Sequence, residues 1–347
     1  MLPVKPLPNL CNFPWHVKQR IVGYVDPITK LSLRKCSPEF DLLVSQSPVH
    51  YTGLELSLNL ANEGEDDDEE TEYEFVRVKL TLSEDRCQEM VFEWHEDGML
   101  VKNNAERFSK LVPGKHFLLG AVEFFTSIVS KENVSFDKLN VSLFRQCDVE
   151  GTWHDLLDEL DSSLEQLPRK IPVKLLDLYF DEDTENMLRV LPHLTPDYLH
   201  TIRYNSRNPV LDYCRPEEVK KAMDQVVELE QWKKAKRLDI DFCCSQIAFF
   251  TQWTHFEKIH VGWRGETVTV DTIKFFIKIA LEHPHIKLIE VYFRHQYSEP
   301  IINYLNQFET DRKGWKRIRS EEGTGTERVL AVETDNDQDA YLIHNIM

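Results

Sequence analysis

The 347-residue sequence is short of positive charge: 41 Lys and Arg stand against 59 Asp and Glu, a net charge of −18. Sequence-independent nucleic-acid binding depends on neutralising phosphates, so this balance argues against it. Long apolar runs are missing too. The most apolar stretch, Phe117–Val129, is interrupted by Glu123 and is too short to span a bilayer. The first residues hold no apolar segment of the secretory type, and Pro3, Pro6, Pro8 and Pro14 crowd them instead. The seven cysteines (11, 36, 87, 147, 214, 243 and 244) form no C-x-x-C pair and no framework spacing, which suits a reducing compartment. The expectation is a soluble protein of the cytoplasm, the nucleus or both.

Catalytic signatures are equally scarce. There is no G-x-S-x-G elbow, no Walker loop and no G-x-G-x-x-G after a strand. Gly323-Thr-Gly325 reads as a turn in a polar loop. His283-Pro-His285 has no His or Cys pair at zinc-ligand spacing, and zinc needs about four ligands. Trp94, Trp153, Trp232, Trp253, Trp263 and Trp315 read as packing residues, not as a stacking platform for bases. The expectation is a chain with no catalytic residue, metal or cofactor; an α/β enzyme with an unrecognised site is the competing class.

The most informative segment present is 13–44, FPWHVKQRIVGYVDPITKLSLRKCSPEFDLLV. Val17, Ile21 and Val25 recur at i, i+4, i+8, with Val22 widening the stripe, so a short amphipathic helix is predicted. Asp26-Pro27 supplies an N-cap and a proline at the first helical position. Ser37-Pro38-Glu39 repeats the device, and Phe40, Leu43 and Val44 give the third helix its apolar side. Three helices in about thirty residues bury little core, and modules below roughly 40 residues usually need a metal, a disulfide or a partner. With the first two ligand sets missing, a partner chain is expected.

This segment resembles an F-box. The positions that match that family's pattern are Phe13-Pro14, Ile21-Val22, Asp26-Pro27, Leu31, Cys36-Ser37, Phe40 and Leu43-Val44, without a gap. Phe13 stands for the family's Leu, Cys36 for Val and Phe40 for Trp, and all three stay apolar. The resemblance implies that Phe13, Pro14, Val17, Ile21, Val22, Pro27, Leu31 and Phe40 bind a Skp-family adaptor and, through it, a cullin.

Beyond the F-box (13–46, after a tail at 1–12) the pattern changes from helix to strand. Leu54, Leu56, Leu58 and Leu60 alternate with polar residues, Phe75, Val76, Val78, Leu80 and Leu82 do so more loosely, and Asp97-Gly98 is a turn signal. An antiparallel meander over 51–104 is predicted, its first connection the acidic run 63–74. That run reads as a solvated loop, with docking of a basic partner as the alternative.

From about 117 onward, strand patterns alternate with helix patterns. The strands are Leu139-x-Val141-x-Leu143, Leu176-x-Leu178-x-Phe180, Ile202-x-Tyr204, Leu238-x-Ile240-x-Phe242, Ile259-x-Val261-x-Trp263 and Ile289-x-Val291-x-Phe293. Helices are predicted over 152–166, 185–191, 217–229 and 270–283. Alternating βα units imply a parallel sheet. Strands apolar on one face only imply helices on one side and an open face on the other. The expected class is therefore α+β / α/β: a three-helix unit, a meander, then an irregular leucine-rich-repeat-like βα solenoid with one open sheet face. Further strands or a tail follow over 311–347.

Val226-Val-Glu-Leu-Glu-Gln-Trp-Lys-Lys-Ala-Lys236, Leu191-Pro-His-Leu-Thr-Pro196-Asp-Tyr-Leu199 and Pro172-Val-Lys-Leu-Leu176 resemble the nematode FTH (fog-two homology) domain, over about 115–310. That family carries the domain behind an F-box, the order found here. The resemblance implies a substrate-recognition adaptor of an SCF (Skp–cullin–F-box) ubiquitin ligase, whose C-terminal domain holds a target protein. A Skp-bound scaffold or translational regulator that ubiquitylates nothing needs the same F-box and stands as the alternative. The strand alternation then nominates a target face: Asp177, Tyr179, Arg203, Asp239, Asp241, His260, Glu290, Tyr292 and Arg294 all turn away from the apolar side. A face that is polar for solubility alone is the competing reading.

Overall fold

The computed structural model describes residues 13–25, 27–63, 71–83, 86–103, 108–143, 152–180, 184–206, 216–242, 252–263, 269–283, 285–292, 299–310, 316–319, 329–335 and 340–346. Three short helices come first: α1 (Trp15–Gly23), α2 (Pro27–Arg34) and α3 (Pro38–Gln46). Ser37 caps α3 from an extended backbone. Its hydroxyl accepts the Phe40 N–H at 3.3 Å, and Pro38 occupies a position where a missing N–H costs nothing. The matching Asp26 cap lies outside the described residues. Val22, Phe40, Leu43 and Val44 form the small interior of this unit. Lys18, also buried, ties α1 to α3 through Glu39 at 2.6 Å. Lys30 donates to the Pro48 carbonyl and Asn133 to the Ser45 carbonyl (3.3 Å), which fastens the helices to the sheet behind them.

That sheet has 15 strands among the described residues. β1 (Val49–Glu63), β2 (Thr71–Ser83), β3 (Arg86–His95), β4 (Gly98–Asn103) and β5 (Phe108–Pro113) form an antiparallel meander. It runs one strand beyond the expected limit at 104. The acidic run is not all connection, either: Glu63 pairs with Thr71, Asn62 with Glu72 and Leu60 with Glu74. The ladder bonds backbone groups alone, so acidic side chains do not stop it. Only 64–70, outside the described residues, is left between the strands. The β3–β4 turn depends on Gly98, whose φ is +151°; a Cβ there would sit 2.3 Å from the Val112 carbonyl oxygen.

The apolar segment 117–129 is a buried helix, α4 (Phe117–Val129), packed against β2, β3 and β4. Next, β6 (Val134–Leu143) lies parallel beside β1. From there every strand is laid beside the previous one. The order is α5 (Thr152–Glu165), β7 (Val173–Phe180), α6 (Met187–Val190), β8 (Thr201–Ser206), α7 (Pro216–Val226), α8 (Glu230–Lys234), β9 (Arg237–Phe242), β10 (Lys258–Trp263), α9 (Val270–Glu282) and β11 (Leu288–Tyr292). All of these pairings are parallel. After α10 (Glu299–Leu305), the strands β12 (Glu309–Thr310), β13 (Lys316–Arg319), β14 (Val329–Asp335) and β15 (Ala340–Ile346) close the chain antiparallel, with β15 against β11. The class is mixed α/β: a parallel centre with antiparallel ends, and ten α-helices among the described residues.

One core face runs through this sheet. Leu139, Val141, Leu176, Leu178, Ile202, Tyr204, Leu238, Ile240, Ile259, Val261, Ile289 and Val291 meet Leu156, Leu160, Met223, Ile273 and Phe276 of the helices in one buried cluster. Each such side chain contributes about 1.5–3 kcal/mol by leaving water, so helices on this side are fixed by the strand alternation. Trp232 and Trp253 are buried as expected, but Trp94 is largely exposed, beyond the cover that α4 gives β3. The helix expected at 185–191 is a short α-turn flanked by 3-10 turns, since Pro192 cannot continue an α-helix.

Candidate functional site

The face away from the helices carries a row of polar, mostly ionisable side chains, one per strand. Strand register sets Asn140, Asp177, Arg203, Asp239, His260 and Glu290 directly beside one another across β6 to β11. Neighbouring parallel strands lie about 4.8 Å apart, so adjacent side chains on this row must pair or repel. They pair. Lys138 Nζ stands 2.6 Å from Asp177 Oδ2, and Arg203 Nη1 stands 3.5 Å from the same oxygen. Asn205 donates to Asp177 Oδ1 at 3.4 Å. Arg203 also donates through Nε and Nη2 to Asp239 Oδ2 at 3.2 and 3.0 Å, and Arg237 donates to Oδ1 at 3.2 Å. His260 Nδ1 lies 3.1 Å from Glu290 Oε2 and 3.7 Å from Asp239 Oδ1.

The row is not an open surface of equal depth, which corrects the expectation for two residues. The Asp177 and Asp239 side chains retain 0% and 6% of their exposure, whereas Arg203 keeps 33% and Arg237 38%. Short carboxylates sit on the floor, and the longer cationic chains fold over them with their heads toward water. Burial opposes the Arg203 charge, but the hydrogen bond to Asp239 and the charges of Asp177 and Asp239 outweigh it, holding the guanidinium pKa above its usual value. A cleft of about 240 Å³ opens over the row, lined by Tyr179, Arg203, Asn205, Arg237, Asp239 and His260 with the edge of Ile240. Asp241 and Tyr292 occupy the next level along their strands, in register with Asn205 and Gly262; their side chains, and Arg294 altogether, lie outside the described residues. Lys138, Asn205 and Arg237 are participants that sequence reasoning missed. For Asn205 and Arg237 the signal was available, because each stands two residues from a nominated position and so shares its face; Lys138 has no nominated neighbour on its own strand.

At the N-terminal end, the residues assigned to adaptor binding divide. Pro14 is exposed, and Phe13, Val17 and Ile21 are half-buried. Val22 and Phe40 are buried, at 0% and 7%. These two hold the helices to one another in the chain by itself. Pro27 and Leu31 belong to α2, with side chains outside the described set. Trp15, Tyr24 and Leu42, which the spacing argument passed over, are exposed large apolar side chains on this unit.

Among the described residues, no group of three or more His, Cys, Asp or Glu is placed to hold a metal ion. No described helix is long and apolar enough to cross a membrane.

Residues 154–310 match the FTH domain family. No curated protein and no solved structure matches the chain. The matched region begins within α5, leaving α4 and β6 ahead of it. Its three signature segments, far apart in sequence, meet at one end of β7 to β9. Gln231, buried beside Trp232, donates its amide to the carbonyls of Pro192 and Leu194, both at 2.8 Å. Ile171 and Leu194 form an isolated parallel bridge, and Lys234 pairs with Asp197 at 2.8 Å. Trp232 packs edge-on against Phe256 at 5.1 Å. The signature is therefore a structural clamp that registers the strands, well apart in role from the charged row it supports.

Proposed function

We propose that this chain is a substrate-recognition adaptor of an SCF-type ubiquitin ligase, catalysing nothing itself and acting in the cytoplasm or nucleus. In this reading the N-terminal helices are an F-box that binds a Skp-family subunit, and through it a cullin. The FTH domain, as an irregular solenoid, presents its polar face to a target protein. The observation that carries the proposal is apolar surface left uncovered on a unit too small to spend it: Trp15, Tyr24 and Leu42 are exposed beside Pro14 and the half-buried Val17 and Ile21. Stable interfaces centre on aromatic and apolar anchors of this kind.

The test is co-purification with a Skp-family protein. Truncating interface anchors commonly costs about 2–4 kcal/mol each, so Pro14→Ala/Ile21→Ala should lose the Skp subunit while circular dichroism and urea denaturation of the full chain show that residues 115–310 stay folded. Undiminished recovery of the Skp subunit with this variant rejects the assignment. A reconstituted ubiquitylation assay with a target found by proximity labelling then separates a ligase adaptor from a scaffold.

A further inference from the structure

We propose that the cleft over the charged row of the β-sheet is a receptor for carboxylate side chains, so that the target segment is an acidic, Asp- or Glu-rich peptide. This rests on the adaptor reading only for the word target; the chemistry follows from the cleft. Its walls present the guanidinium groups of Arg203 and Arg237, the amide of Asn205, the phenol of Tyr179 and the imidazole of His260. Asp239 is the one carboxylate lining the described cleft, and it already accepts from both arginines. An arriving anion therefore meets donors at the rim, with the compensating acids beneath them. The volume of about 240 Å³ suits one side chain of a bound segment, not a folded surface.

A second observation extends the cationic rim. Lys258 is the register neighbour of Arg237, shares its face, and is exposed. Among the described residues it has no ion-pair partner, unlike Lys138, Lys174, Lys234, Lys236 and Lys287. On a chain carrying a net charge of −18, this leaves one exposed lysine, without an ion-pair partner among the described residues, at the edge of a row whose arginines are already paired with Asp177 and Asp239 but keep about a third or more of their side chains in solvent. Desolvated Arg–carboxylate contacts give specificity, and rim charges such as Lys258 raise the association rate. The same overall charge repels a polyphosphate backbone at longer range, which favours a peptide over a nucleic acid.

The experiment uses the full chain and fluorescence anisotropy with three labelled probes: an alternating Glu-Gly peptide, its Lys-Gly counterpart and a single-stranded RNA of similar length. The Glu-Gly peptide should bind, weaken as NaCl is raised, and lose about tenfold or more in affinity in Arg237→Glu and in Lys258→Glu. Lys258→Glu is the decisive variant, because Lys258 braces no buried acid and its loss leaves the fold intact. Lys233→Glu on α8, away from the cleft, should bind as the parent does. Equal binding of the Glu-Gly and Lys-Gly peptides, or unchanged Glu-Gly affinity in Lys258→Glu, overturns the proposal. So does preferential RNA binding that the same variants abolish, which would make phosphate the ligand. Skp co-purification is read in parallel: its loss in Pro14→Ala/Ile21→Ala bears on the adaptor reading alone, and its retention in Lys258→Glu keeps the two questions separate.

Discussion

Arg203 is the keystone of the charged row, since it alone among the described residues reaches both Asp177 and Asp239, and replacing it by Met should expose how much the row matters. Met keeps most of the chain length and removes only the charge and donors. Breaking a buried ion pair by deleting one partner costs about 3–5 kcal/mol, because the remaining charge stays buried without compensation. Two features reduce that figure here. Arg203 keeps a third of its side chain in solvent, and Lys138 and Arg237 remain to hold Asp177 and Asp239. We expect a loss of about 2 kcal/mol. Urea denaturation at pH 7 should show it as a lower midpoint at unchanged slope. In Arg203→Met/Asp239→Asn, the loss should fall short of the sum of the single losses by about 1 kcal/mol, the signature of direct coupling. The loss should also survive 1 M NaCl, where exposed pairs are screened within about 3 Å. A cost for Arg203→Met under about 0.5 kcal/mol, or strict additivity in the double variant, would falsify the view of the row as a coupled, partly buried network.

Two further outcomes follow from single positions. Gly98→Ala should destabilise by about 1–3 kcal/mol in the same urea assay, given a left-handed φ and a Cβ driven into the Val112 carbonyl; a neutral result would show that the β3–β4 turn relaxes freely. His255 is held below its ordinary pKa mainly by burial, with the charge of His285 adding to this and hydrogen bonds to the Trp232 and Gln252 carbonyls opposing it. Well above pH 6.5, the ordinary value, it is neutral in both states. As pH falls below that, the unfolded chain takes up a proton that the folded chain refuses, so stability declines until the folded pKa is passed. His255→Asn, which keeps an N–H donor near the Trp232 carbonyl, should flatten the stability profile between about pH 7 and 5.5 relative to the parent; parallel profiles would refute the assignment.

Period-two alternation was enough to place the central strands, because a strand buried on one face cannot slip by one residue without turning its apolar set to water. It also set Asp177, Arg203, Asp239, His260 and Glu290 on one face. It could not say how deep each sits, since depth depends on which neighbours in register are long enough to fold over it. The α4 helix was legible only as an apolar stretch: a helix covered on most sides has no polar stripe to give a period. A similar ambiguity surrounds Val22 and Phe40, which are buried between the helices. In three short helices that keep apolar residues both inside and outside, spacing alone does not distinguish the internal stripe from the surface one. The Gln231 clamp was invisible for another reason, since it joins segments nearly forty residues apart through backbone carbonyls that no side-chain pattern records.

The strand β1 bears on how the two ends of the molecule are related. Its residues Gly53 to Glu63 pair with β2 in the meander, while Val49 to Leu58 pair with β6 at the start of the parallel run. The N-terminal helices enter the sheet directly through Pro48 and Val49, held there by Lys30 and Asn133. No Gly- or Pro-rich linker of the kind that lets domains swing separates the helices from the strands. A shared strand with ladders on both edges must break many backbone hydrogen bonds before it bends, so the spacing between the helices and the charged row is set by the sheet itself. For an adaptor this matters more than the strength of either contact. Under the proposed adaptor function, a target held at a fixed distance and angle from the Skp subunit would offer only those lysines that the geometry brings within reach of the transfer site, and selectivity would then come from the frame as well as from the face.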